Sequence, residues 1–62
     1  MDLVTPHDAA RILGRTAATA DLVCDGERLP RDTAIDAVIH RAIQRVEIVE
    51  PGGVRVLALV GF

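Results

Sequence analysis

Two runs of residues in the last third of the chain predict a β-hairpin. Residues 46–50 (VEIVE) alternate apolar and acidic side chains, and residues 54–60 (VRVLALV) are rich in β-branched side chains. The Pro-Gly-Gly sequence between the two runs is typical of a turn. A type I turn closed by a left-handed glycine would place Ile48 opposite Val56. We therefore predict a hairpin over about residues 46–60.

The predicted hairpin needs a third strand at its side and cover on both faces. Its second strand is longer than its first, and residues 2–4 (DLV) are the segment that can extend the sheet to three strands. Side chains alternate along a strand, so residues 54–60 form two sets on opposite faces: Val56, Ala58 and Val60, and Leu57 and Leu59. We expect one face to pack on a helix and the other to form an interface made by Leu57, Leu59 and Phe62.

Helix signals begin directly after the first predicted strand. Thr5 followed by Pro6 and Asp8 is typical of a helix start, because threonine caps the free N–H groups and proline suits the first turn. We predict a first helix over about residues 6–13 that ends at Gly14, since glycine adopts the left-handed conformation common after a helix.

Two further helices are predicted before the hairpin. Thr16 is a candidate cap for a helix over about residues 17–24, which an Asp-Gly pair would end. Asp32 is a candidate cap for a third helix over about residues 33–45. Its apolar residues recur with helical spacing: Ile35, Val38, Ile39, Ala42, Ile43 and Val46. The predicted fold class is α+β, with three short helices followed by the hairpin in a single domain.

The size of the chain limits how stable it is alone. A 62-residue domain buries only about 60% of the surface that its unfolded chain exposes. Phe62 is the single aromatic residue, and Cys24 is the single cysteine, so no internal disulfide strengthens this core. Cys24 itself is expected to be a buried, inert thiol. We therefore expect self-association or a complex with a protein partner.

The charge of the chain is mildly unfavourable for nucleic-acid binding. All seven basic residues are arginines, against nine acidic residues, which gives a formal net charge of −2. Arginine suits bidentate contacts to phosphates and guanine edges. A net negative chain nevertheless lacks the basic surface that is usual for a nucleic-acid binder.

Residues 9–19 and the following Gly26 and Leu29-Pro30 resemble the helix-turn-helix of small excisionase-like and MerR-like DNA-binding domains. In those families an Ala-Ala-x-x-Leu-Gly segment precedes a short helix, and the matching residues here are Ala10, Leu13, Gly14 and Val23. The resemblance covers about a third of the chain and implies DNA binding. On this mapping the second helix would read DNA with Arg15, Thr16 and Thr19.

The predicted order of elements is also similar to a minimal winged helix, in which the helix before the hairpin enters the major groove. On this mapping, which we prefer, the DNA-reading residues are His40, Arg41, Gln44 and Arg45, with Arg55 as a phosphate contact. Arginine and glutamine suit guanine and adenine edges. Asp36 on the same helix face and nearby glutamates reduce the positive field.

Two functions therefore remain open. The first is a small helix-turn-helix or winged-helix regulator that binds DNA as a dimer, of phage or mobile-element origin. The second is a small protein-binding inhibitor, anti-CRISPR-like or antitoxin-like, that acts through acidic residues and the exposed sheet face.

Enzyme activity is not expected. No nucleophile, acid-base pair or metal-ligand cluster stands out, and a chain this small is expected to have no pocket of several hundred cubic ångströms. We expect no cofactor, no metal and no small-molecule substrate. No leader sequence or membrane-spanning segment is visible, so the expected location is the cytoplasm, with no membrane partner.

Overall fold

A computed structural model describes residues 1–61 and consists of two helices packed on one face of a five-stranded mixed sheet. The elements in chain order are β1 (Asp2–Val4), α1 (Pro6–Arg15), β2 (Asp21–Cys24), β3 (Glu27–Arg28), α2 (Arg31–Ile39), β4 (Arg45–Glu50) and β5 (Gly53–Leu59). The strand order is β1-β5-β4-β2-β3, and β1 is parallel to β5 whereas the other neighbours are antiparallel. The predicted α+β class fits, but the three-helix, three-strand arrangement of a winged helix is wrong.

Helix α1 begins as predicted but does not end as predicted. The Thr5 hydroxyl oxygen accepts a hydrogen bond from the Asp8 backbone N–H at 3.2 Å, which confirms the N-cap. Gly14 remains within the helix instead of ending it. Thr16, the expected cap of a second helix, is the C-cap of α1, and its hydroxyl donates to the Ile12 carbonyl at 2.9 Å.

The predicted second helix over residues 17–24 is wrong. Its last four residues form strand β2, and the Asp-Gly pair that follows is the turn of a hairpin to β3. Asp25 and Gly26 have φ values of 48° and 87°. Positive φ at both central residues defines the type I′ turn, the preferred two-residue connection between antiparallel strands. Without this helix, the helix-turn-helix that the resemblance implied is not formed.

The third predicted helix is wrong at both ends. Helix α2 begins at Arg31 with Pro30 as its N-cap, so Asp32 lies in the first turn and does not cap it, and the helix ends at Ile39 and not at residue 45. Arg41 adopts a left-handed φ of 57°. Its N–H donates to the Val38 carbonyl at 3.1 Å, and the Ala42 N–H donates to the Ala37 carbonyl at 2.9 Å. This pair of bonds is the Schellman motif that ends helices. The apolar stripe therefore continues beyond the helix, through a loop and into β4.

Arg41→Gly is expected to raise the free energy of unfolding by about 1 kcal/mol. A left-handed conformation costs a residue with a Cβ atom about 1–2 kcal/mol, and glycine adopts it readily. Thermal unfolding followed by circular dichroism measures the change. Arg41→Ala is the control, since it removes the same charge but keeps the Cβ atom. An equal gain in the alanine variant would mean that charge, and not backbone conformation, is responsible.

The register of the β4–β5 hairpin differs from the prediction by one residue. Ile48 lies opposite Arg55 instead of Val56, because only Pro51 and Gly52 separate the strands and Gly53, with a φ of 149°, already pairs with Glu50. A shift of one residue moves every side chain of a strand to the other face.

Leu57 and Leu59 therefore point toward the helices and are buried, 0% and 7% exposed. Their neighbours in the core come from both helices and from strands β2 and β4: Ala9, Leu13, Leu22, Cys24, Ala34, Val38, Ile43, Val46 and Ile48.

Candidate interaction surfaces

One face of the sheet carries no covering element within residues 1–61, and we call it the open face. Both helices pack on the opposite face, where the core lies. By strand register, the apolar side chains of the open face are Leu3, Val23, Val49, Val54, Val56 and Ala58. Leu3 and Val54 are 69% and 58% exposed. The half-buried Val56 and Ala58 connect these two side chains, and continuous apolar surface is a common mark of an interaction site.

The apolar part of the open face is a stripe along one strand. Val54, Val56 and Ala58 follow one another on β5, Leu3 on β1 lies beside Ala58, and Val49 on β4 lies beside Val54. We call these five residues the β5 stripe.

The other half of the open face is charged but internally neutralised. Arg45 and Glu47 on β4 form an ion pair at 3.2 Å, and Arg28 donates to Asp21 at 2.7 Å between β3 and β2. These exposed pairs add little stability. They do mark where the apolar surface ends.

The interface expected at Leu57, Leu59 and Phe62 does not coincide with the open face. Leu57 and Leu59 are in the core, for the reason of register given above. Phe62 lies outside the described residues. The alternate residues of the same strand, Val56 and Ala58, occupy the face that the sequence interpretation assigned to the leucines. The sequence shows that the side chains of this strand alternate between two faces, but it does not show which set faces the helices, because that depends on the pairing of β5 with β4.

The five residues expected to contact DNA do not form one surface. His40 and Arg41 lie in the turn after α2, and Gln44 lies in the loop before β4. Arg45 is on the open face opposite Ala58, whereas Arg55 is on the helix-covered face opposite Ile48. The two arginines are thus three residues apart along β5, or about 10 Å, and on opposite sides of the sheet.

Several of these residues have partners within the chain. The Asp25 carboxylate accepts hydrogen bonds from the backbone N–H groups of Gln44 and Arg45, the closest at 3.0 Å. The His40 ring nitrogen Nδ1 lies 2.8 Å from the Asp36 carbonyl oxygen and 3.3 Å from its carboxylate. The β2–β3 turn therefore holds the segment that connects α2 to β4.

Cys24 lies in the core beneath the helices. Burial raises the pKa of the Cys24 thiol, and the carboxylates of Asp25 and Glu27 raise the pKa further. Each effect disfavours the thiolate, which is the nucleophilic form. The thiol is therefore protonated at neutral pH.

The surface of residues 1–61 has open clefts, among them clefts of about 310, 310 and 360 Å³. The first lies beside β2 and β3, and the third surrounds the β4–β5 turn. The second lies between the carboxyl end of α1 and the hairpin, and its lining includes Arg15, Glu50 and Arg55. We call this second one the arginine cleft.

Among residues 1–61, no group of three or more potential metal-binding side chains is found. In the same part of the chain, neither helix has the length and apolar character needed to span a membrane.

No known protein family, curated protein or solved structure matches this chain. The function is therefore argued from the surfaces alone.

Proposed function

We propose that this protein is a protein-binding module whose open face docks an amphipathic helix of a partner protein. The observation that carries the proposal is the β5 stripe, an exposed apolar strip on a sheet face without cover in residues 1–61. Three of the four strand pairs are antiparallel, and a sheet of that kind commonly carries polar side chains on a face left in water, so apolar side chains on the open face favour a binding partner. The proposal belongs to the second of the two functions predicted from the sequence.

The dimensions of the stripe favour a helix as the occupant. From β1 to β4 the stripe spans two strand spacings, about 10 Å, close to the diameter of a helix, about 10–12 Å. Along β5 the stripe runs from Val54 to Ala58, about 13 Å, which matches a helix segment of about nine residues. Ala58, a small residue in the stripe, allows a helix to approach closely.

A second copy of the chain fits this face less well. A second copy stacked on the whole face would cover the Arg45–Glu47 and Asp21–Arg28 pairs, whose desolvation is unfavourable. A helix along the stripe covers the apolar residues and leaves the Asp21–Arg28 pair in water, while the Arg45–Glu47 pair lies at the edge of the helix.

The DNA-binding function has less support. The two strand arginines expected to act together, Arg45 and Arg55, lie on opposite sides of the sheet. A labelled mixed-sequence duplex, titrated at about 50 and about 200 mM salt, provides the counter-test. Binding that weakens steeply with salt would contradict the protein-binding proposal.

The proposal is tested by nuclear magnetic resonance. A ¹⁵N-labelled sample is titrated with model amphipathic helices that have a Leu/Ala face and a neutral Lys/Glu face. We expect saturable shifts at Leu3, Val54, Val56 and Ala58, while α1 and α2 change little. Val54→Glu is expected to weaken binding at least tenfold, about 1.4 kcal/mol, because docking would bury an unpaired charge.

Thr33→Glu, an exposed change on α2, is the matched control and is expected to leave binding unchanged. Both variants are checked for unaltered thermal unfolding. If none of the model helices binds at millimolar concentration, the proposal is wrong. Dimerisation of the protein alone that protects the open face would also overturn it, since the occupant would then be a second copy.

A further inference from the structure

The arginine cleft lies on the helix-covered side of the sheet, away from the open face. Its lining residues are Ile12, Arg15, Thr16 and Ala17 from the end of α1 and the following loop, and Ile48, Glu50 and Arg55 from the hairpin. Ile48 is almost completely buried and Ile12 is half-buried. The cleft thus has an apolar floor with charged groups at its rim.

Arg55 forms an exposed ion pair at the rim of this cleft. Its Nε donates to the Asp2 carboxylate at 2.9 Å, which leaves both terminal nitrogens of the guanidinium without a partner among residues 1–61. Arginine is suited to binding oxyanions, because its planar fork matches the oxygens of carboxylates and phosphates.

Arg15 provides a second positive charge on the other wall of the cleft. Within residues 1–61, Arg15 and Arg41 are the two arginines that have neither an ion pair nor a side-chain hydrogen bond. A third guanidinium is close, since Arg31 donates to the carbonyl oxygen of Thr16. Arg15 precedes Thr16, Arg31 donates to its carbonyl oxygen, and Arg55 lines the same cleft, where Asp2 offsets part of the positive charge.

We propose that the arginine cleft binds the oxyanion group of a small organic phosphate or carboxylate. Arg15 and Arg55 contact the oxygens, and the apolar part of the ligand rests on Ile12 and Ile48. The volume of about 310 Å³ lies at the small end of the range for ligand sites. This proposal replaces the expectation that the protein takes no small-molecule partner.

Glu50 also lines the cleft and opposes an anion. It is exposed, so water screens much of its repulsion. Glu50→Gln is expected to tighten anion binding about threefold, which corresponds to a modest change in repulsion at a solvent-exposed site. Weaker binding by this variant would contradict the proposal that the cleft binds anions.

The test uses butyl phosphate and butyrate as probes, titrated into the ¹⁵N-labelled protein. Sodium chloride at equal ionic strength is the reference. We expect saturable shifts at the amides of Thr16, Ala17 and Ile48 and at the Nε–Hε group of Arg55. Tighter binding of butyl phosphate would assign the phosphate class, and tighter binding of butyrate would assign the carboxylate class. Inorganic phosphate or acetate, which lack the apolar part, are expected to bind more weakly.

Arg15→Gln is expected to weaken binding of the better probe at least fivefold. Arg41→Gln is the matched control, because it removes the other arginine without a partner at a distant turn, and it is expected to have no effect. Arg15 is exposed, so the variant is expected to fold normally, which its amide spectrum verifies. Equal shifts with sodium chloride, or equal losses in both variants, would overturn the proposal. Because the cleft and the open face are on opposite sides of the sheet, either proposal can fail without the other.

Discussion

Leu57→Ala is expected to lower the free energy of unfolding by about 3 kcal/mol, because it removes a completely buried side chain and leaves a cavity. A domain of this size has a total stability of only about 3–9 kcal/mol. The midpoint of thermal unfolding should fall by about 12–24 °C, since each kcal/mol changes it by about 4–8 °C in a domain of 60–100 residues. Circular dichroism during heating measures this change.

Val54→Ala is the matched control for Leu57→Ala. Val54 is on the same strand but exposed, and its truncation is expected to change stability by less than about 0.5 kcal/mol. The comparison also tests the register of the hairpin. A mild effect at Leu57 with a severe effect at Val54 would mean that the register predicted from the sequence is correct and the observed one is not.

Asp25→Ala is expected to lower the free energy of unfolding by about 2 kcal/mol. Asp25 has two functions in the fold, because its carboxylate accepts hydrogen bonds from two backbone N–H groups before β4 and its own backbone is left-handed. Hydrogen bonds to a charged group contribute about 1.5–3 kcal/mol, and aspartate tolerates the left-handed region better than alanine does. Urea unfolding measures the loss.

Asp25→Asn separates these contributions. Asparagine keeps an acceptor oxygen and also tolerates a left-handed backbone, so we expect it to lose less than half as much stability as alanine. If both variants are as stable as the parent protein, the turn does not hold the segment before β4. The amide signals of Gln44 and Arg45 provide a second readout, because these N–H groups lose their side-chain acceptor completely only in the alanine variant.

The parts of the fold that the sequence predicts correctly are those governed by local signals. Thr5 caps α1 because a hydroxyl at that position reaches a free N–H three residues later. The β4–β5 hairpin is close to its predicted position, because alternating and β-branched residues surround a Pro-Gly-Gly turn. Neither feature requires information from distant residues.

The errors come from signals that have two meanings. An Asp-Gly pair can end a helix or form a type I′ turn. Here the residues before the pair form a strand that pairs with β4, so Asp25 and Gly26 form the turn. The apolar spacing from Ile35 to Val46 looks helical, but a left-handed Arg41 divides it between a helix and a strand. No residue-level rule predicts a left-handed arginine, because glycine or asparagine is the usual choice.

The two candidate sites depend on strand register and on the packing of elements that are distant in sequence. The open face could be anticipated from the two-sided apolar pattern of β5, but a turn shorter by one residue decided which set of side chains is exposed. The arginine cleft could not be anticipated, because Arg15 and Arg55 are far apart in sequence and meet only when α1 packs beside the hairpin.

The parallel pairing of β1 with β5 has a consequence for how the chain folds. Asp2 pairs with Leu57, so β1 can join the sheet only after β5 has formed. Pairing β1 with β5 closes a loop of more than 50 residues, which costs chain entropy before any contact compensates for the cost. Folds with many such distant pairings fold slowly. The β2–β3 hairpin and helix α1, whose contacts are local, can form within microseconds. Strand β5 joins β4 through a two-residue turn, so we expect the slow step to be the docking of β1 on β5, which closes the long loop.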